Sequence, residues 1–191
     1  MKKEYILIFG LAIMLFGFTN NSDKKVFEEI IGQSYHPIKK GHTDTYVADF
    51  NKYTISFDTN FTEKRNKKYL KQTTEYDGSQ TIAYYREQDG AILYIKPDQI
   101  NETIEIPKEL KAGFVWYESD STWKYTIKNT SEYFETPVSV FKNCLVIQAE
   151  NIDKNKSNGY YQLYIQYFQR GRGYVGTKVG GLIYSYLTPN E

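Results

Sequence analysis

Beyond Lys40, apolar and polar residues alternate with a period of two almost to the end of the chain. That periodicity fits strands whose side chains point by turns to two faces. Tyr46, Ala48 and Phe50 share one face of a strand, and Tyr53, Ile55 and Phe57 share a face of the next. The change of phase at Asn51–Lys52 marks a turn or bulge between them. About ten to twelve short strands can be laid out in this way, with no helix long enough for a βαβ crossover. The predicted fold is mainly β: a single antiparallel meander sheet curled into an open or half barrel, or folded as a sandwich. One short N-terminal helix precedes it at Ser22–Gly32. Ser22 or Asp23 can cap it, Val26, Phe27, Ile30 and Ile31 share a face, and Gly32 can end it.

Three hairpins can be written with their register. Asp89-Gly90 suits a type I′ turn, because both central residues there take positive φ. It would pair Glu87 with Ile92 and Tyr85 with Tyr94. A turn at Ser119-Asp120 would set Trp116 opposite Trp123 and Phe114 opposite Tyr125. Gly180-Gly181 would place Val179 opposite Leu182. Val138–Glu150 reads as a central strand interrupted at Lys142-Asn143. Tyr160–Arg170 is a strand with Tyr161, Leu163, Ile165 and Tyr167 on a core face. Its second face, Tyr160, Gln162, Tyr164, Gln166 and Phe168, suits a ligand groove.

The chain has 191 residues, enough for one domain with a real core. Residues 1–19 read as a signal peptide: Lys2 and Lys3 form the positive region, and Ile6–Phe18 the apolar one. Residues 20–191 are then one β-rich domain. The apolar run covers roughly 20 Å as a helix, short of the ~30 Å of a hydrocarbon core, so a signal is favoured over a span. An uncleaved tether stays open as an alternative. No Cys follows that run, which argues against a lipid anchor. Removing residues 1–19 leaves acidic and basic residues in equal number. That balance speaks against nucleic-acid binding, which needs a basic excess. A single Cys leaves no intramolecular disulfide and no CxxC site.

Few constellations point to chemistry. Gly171-Arg-Gly173-Tyr-Val-Gly176 has the letters of a dinucleotide loop, but Thr177–Leu187 alternates as a hairpin where a helix is required. It reads as β-turns. His36 and His42, with Asp44 and Asp49 nearby, lack any fixed metal or catalytic spacing and read as solvated loop residues. Cys144 reads as a small buried hydrophobe. Glu63–Lys71 is a basic cluster and Glu102, Glu105 and Glu109 an acidic one, both expected on the surface. The 19 Tyr and two Trp remain. Flat rings with polar tips can stack on sugars or line an apolar pocket. Trp116, Trp123, Tyr160, Tyr164 and Phe168 are the candidate ligand-facing residues.

Two segments carry a resemblance. Tyr35-His-Pro-Ile-Lys-Lys-Gly41 resembles the "Y-x-P-L-x-x-G" start of small exported bacterial β-proteins, with Asp44 or Tyr46 near their Trp. Phe141-Lys-Asn-Cys-Leu-Val146 and Tyr164–Val175 are similar to those proteins' C-terminal pattern. Some of that class look like the lipoprotein-carrier half-barrel. The resemblance implies extracytoplasmic location and no catalytic residues. The expectation is a non-enzymatic binding protein of the bacterial cell envelope, without cofactor or metal. It would hold a lipid, glycan or envelope protein on a concave sheet face. The rivals are a hydrolase using His36 or His42 with a nearby carboxylate, and a purely structural component of a surface assembly.

Overall fold

The computed structural model describes residues 24–153 and 162–189. The expected signal peptide and Tyr160 lie outside them. Thirteen strands appear among these residues: β1 Lys25–Phe27, β2 Thr43–Ala48, β3 Asn51–Lys64, β4 Lys67–Tyr76, β5 Ser79–Gln88, β6 Ala91–Ile95, β7 Thr103–Ile106, β8 Val115–Tyr117, β9 Trp123–Glu135, β10 Ser139–Asn151, β11 Leu163–Gln169, β12 Gly173–Val179 and β13 Leu182–Thr188. Their order in the sheet is β7-β6-β5-β4-β3-β2-β13-β12-β11-β10-β9-β8, every pair antiparallel. The sheet therefore consists of two six-stranded meanders, joined where β13 pairs with β2 through Ser185↔Ala48 to Thr188↔Thr45.

The sheet curls as expected until its two ends meet, giving a nearly closed barrel. No ladder joins β7 to β8. Trp116 Nε1 instead donates to the Ile104 carbonyl at 2.8 Å, and the Ser119 amide donates to Thr103 Oγ1 at 3.0 Å. Side chains make the seam that backbone pairing leaves open.

Among the described residues of the expected Ser22–Gly32 helix, which begin at Lys24, none is helical. Residues 25–27 form β1, which runs parallel to β10 from Lys25↔Ser139 to Phe27↔Phe141. Phe27 is buried against the Phe141 ring at 5.2 Å, while Ile31 is 88% exposed. A free stretch of β10 edge offers this segment backbone partners that a lone helical turn lacks. The apolar stripe had no second layer to pack on.

The Asp89-Gly90 and Gly180-Gly181 hairpins have the expected registers, Tyr85↔Tyr94 and Val179↔Leu182, with positive φ at all four turn residues. The third differs: Trp116 faces Tyr125, not Trp123, because the connection runs over Glu118–Thr122 with Ser121 at φ 59°. Phe50 also departs from expectation. It sits in the turn after β2 with φ 67° and is 99% exposed.

The interruption at Lys142-Asn143 is a bend. Asn143 has φ 55°, and register shifts run from Phe141 to Ile147. Beyond it, the β9–β10 arm lies over the outer face of β11 and β12. Phe134 stacks on Tyr167 at 4.3 Å, and a Cβ at Gly176 would collide with that ring and with the Ser185 carbonyl. Gly176 is thus the close-approach point for the arm, and the three glycines of the 171–176 run serve turns and strand β12. A second core forms under the arm from Phe27, Phe134, Phe141, Cys144, Val146, Tyr167 and Val175.

Candidate functional site

The inward faces of the strands do not fill the barrel. At one end they do: Leu70, Tyr85, Ile127, Leu145 and Phe168 pack against Tyr35 and Ile38 from the segment between β1 and β2, which plugs that end. Toward the other end the inward residues become small or polar. Thr74, Tyr76, Ala48 and Val179, close to the turns, surround open space.

That space consists of three adjoining cavities of about 180, 320 and 360 Å³. Gln166 of β11 lines all three. Gln72 and Glu105 line the first and second, and Thr74 and Tyr164 the second and third. The second face of β11 thus contributes Tyr164 and Gln166 to the lumen wall, opposite in direction to Ile165 and Tyr167.

Of the five candidate ligand-facing residues, the fold brings two together. Trp123 and Tyr164 line the same cavity, their rings 5.2 Å apart. Trp116 is buried at the seam, stacked on Tyr125 at 5.5 Å. Phe168 is buried at the plugged end, against Tyr174 and His36. Its position is part of the packed core.

His36 is not the solvated loop residue expected. It is 6% exposed, stacked on Tyr85 at 4.7 Å and edge-on to Phe57. Neither ring nitrogen has a hydrogen-bond partner among the described residues. Burial lowers its pKa to about 4, so the ring is neutral near pH 7. His42 is half-buried, and its Nε2 lies 3.0 Å from Asp44 Oδ2. Burial raises the Asp44 carboxyl, against the opposing pull of His42. Both imidazoles, Asp44 and Glu105 line the smallest cavity.

The acidic cluster also falls differently from the surface expected. Glu102 accepts hydrogen bonds on the outer face from Lys67 at 2.7 Å, Tyr69 at 2.8 Å and Arg86. Burial alone would raise its pKa, but these donors hold it down at about 2. Glu105 points inward. Ile106 pairs with Ile92 and Ile104 with Leu93, so Glu105 is the extra residue of a β-bulge, a device that re-aims a side chain. Burial, reinforced by Glu118 and opposed by Lys96, raises its carboxyl to about 7. Glu118 itself is satisfied: it accepts from Lys96 at 2.8 Å, Tyr94 at 2.7 Å and Tyr125 at 2.6 Å.

Sequence reasoning missed Glu105, Gln72, Tyr85, Tyr94 and Tyr125. The tyrosines stood on strands whose inward face was legible. Glu105 carried no such mark, since a bulge is invisible in a pattern of period two. Among the described residues, no cluster of three His, Cys, Asp or Glu is close enough to hold a metal ion. No helix there is long and apolar enough to cross a membrane. The chain matches no family model, no curated protein and no solved structure.

Proposed function

We propose that this is an exported, non-enzymatic binding protein that encloses an apolar or amphipathic small molecule in the barrel lumen. One observation carries the reading: an open lumen walled by tyrosines, Trp123 and interspersed polar side chains, two of its cavities above 300 Å³. Ligand sites have that size, and ring faces beside polar groups suit a guest that is itself amphipathic. Burial pushes the phenols of Tyr85, Tyr94, Tyr125 and Tyr164 upward, which keeps them neutral and apt to line an apolar guest. The signal-like residues 1–19 support an extracytoplasmic location in the cell envelope, and the resemblance of Tyr35–Gly41 and Tyr164–Val175 to small exported bacterial β-proteins points the same way.

The rival hydrolase reading draws on the cavity that joins His36, His42, Asp44 and Glu105. A hydrolase that works through a covalent intermediate needs an activated side-chain nucleophile beside the base. No hydroxyl or thiol is hydrogen-bonded to either imidazole among the described residues, and Cys144 faces the second core. Binding is the better account.

Displacement of the fluorescent probe N-phenylnaphthylamine tests it. The full chain is expected to take up the probe at about one per molecule. Ala83→Trp, which fills a cavity wall, should abolish uptake without unfolding the barrel. A chain that leaves the probe in water overturns the proposal.

A further inference from the structure

Charge inside the lumen is almost balanced. Lys96 is paired with Glu118 at 2.8 Å; Arg172, whose Nε has no hydrogen-bond partner among the described residues, lies within the field of Asp44, which itself contacts His42. Glu105 is left over. It lines two of the three cavities, and among the described residues it has neither an ion pair nor a hydrogen bond. The barrel spends a bulge on turning this carboxylate inward, where an uncompensated charge is costly. Aromatic rings share its cavity: Tyr85, Tyr94, Tyr125, Tyr164 and Trp123 line it too. Carboxylate plus ring faces is the surrounding that favours an organic cation, through a charge-assisted hydrogen bond and through the negative face of each ring.

Resting on the lumen-binding reading above, we infer that the guest carries a protonated amine, held by Glu105 among the tyrosine rings, with its apolar part toward Ala48 and Val179. The other lumen acids are already engaged: Glu118 accepts from Lys96, Tyr94 and Tyr125, and Asp44 lies 3.0 Å from His42 Nε2. An anionic head would meet an acidic, partner-less oxygen and is disfavoured. A neutral head would leave the carboxylate uncompensated.

The test compares octylamine, octanol and octanoate on the full chain by calorimetry at pH about 8, where the amine stays charged. Octylamine is expected to bind at least about 10-fold more tightly than octanol, with octanoate weakest. In Glu105→Gln the two should bind alike. Octanol matching octylamine in the native chain, octanoate binding best, or a preference for the amine that survives Glu105→Gln would each overturn the inference while the lumen reading stands. If none of the three binds, the lumen reading fails and takes this inference with it. The ranking in the native chain decides the matter even if the variant does not fold.

Discussion

The two ends of the barrel are built from the same strands and the same alternation, yet one is solid and the other hollow. Along β4 the inward residues run Leu70, Gln72, Thr74; along β5 they run Tyr85, Ala83, Thr81; along β11 they run Phe168, Gln166, Tyr164. Each series starts with a large residue pressed on the plug and moves to a small or polar one. Alternation decides which side chains look inward. Their volume decides whether anything is left for a guest. Close packing makes the solid end intolerant of lost methylenes, whereas at the hollow end side chains border open space and a truncation leaves fewer contacts unmade.

The largest expected effect breaks this contrast directly. Leu70→Ala, at the solid end, is expected to cost about 2–5 kcal/mol in urea unfolding, because a cavity stays behind. Thr74→Ala, two inward positions along the same strand, should cost about 0.5 kcal/mol or less. Equal costs would mean that the lumen is not hollow.

The next effect lies in pH. The unfolded His36 imidazole takes up a proton near 6.5 and the folded one only near 4, so stability from His36 is present above that range and lost as pH falls through it. Glu105 has the opposite sign. Its unfolded carboxyl releases a proton near 4.5 and its folded one near 7, so its contribution is lost as pH rises through that range. Each amounts to about 3 kcal/mol at most. The two oppose each other in the native chain between about pH 4.5 and 6.5. His36→Phe is expected to lose stability as pH rises through this window, and Glu105→Gln to gain it. Parallel slopes in the two variants would contradict the opposed burial of the two groups.

Smaller still is the seam. Trp116→Phe removes the hydrogen bond to the Ile104 carbonyl and should cost about 1 kcal/mol, read as a lower melting temperature. The smallest effect concerns the second core. Burial pushes the Cys144 thiol up to about 12, so a thiol reagent should label it only when the chain unfolds. Labelling of the native chain would show that the β9–β10 arm lifts away.

Much of this was legible in the sequence, for a physical reason. A strand displays its faces residue by residue, so the shared face of Tyr53, Ile55 and Phe57 on β3 and the two faces of β11 could be written down, as could two glycine-bearing hairpins. What escaped depended on contacts distant in the chain. The 22–32 stripe reads as a helix until β10 offers an edge. His36 reads as a loop residue until Tyr85 and Phe57 close on it. Glu105 reads as surface until a single bulge turns it. Phe168 shares a face with Tyr164, and only the plug makes one core and the other lumen wall. Barrel closure itself rests on Trp116 meeting a carbonyl twelve residues away, which no local pattern encodes.

The unladdered seam has a consequence for how the chain can be divided. Residues 107–112 connect β7 to β8 across the seam, where no backbone ladder joins those two strands, so cutting there severs no ladder. The two resulting pieces, each a continuous meander, would still share the β2–β13 edge and the plug. Expressed as separate polypeptides, they are natural partners for reassembly. A guest trapped between them would act as a molecular glue whose affinity sets how long the halves stay together.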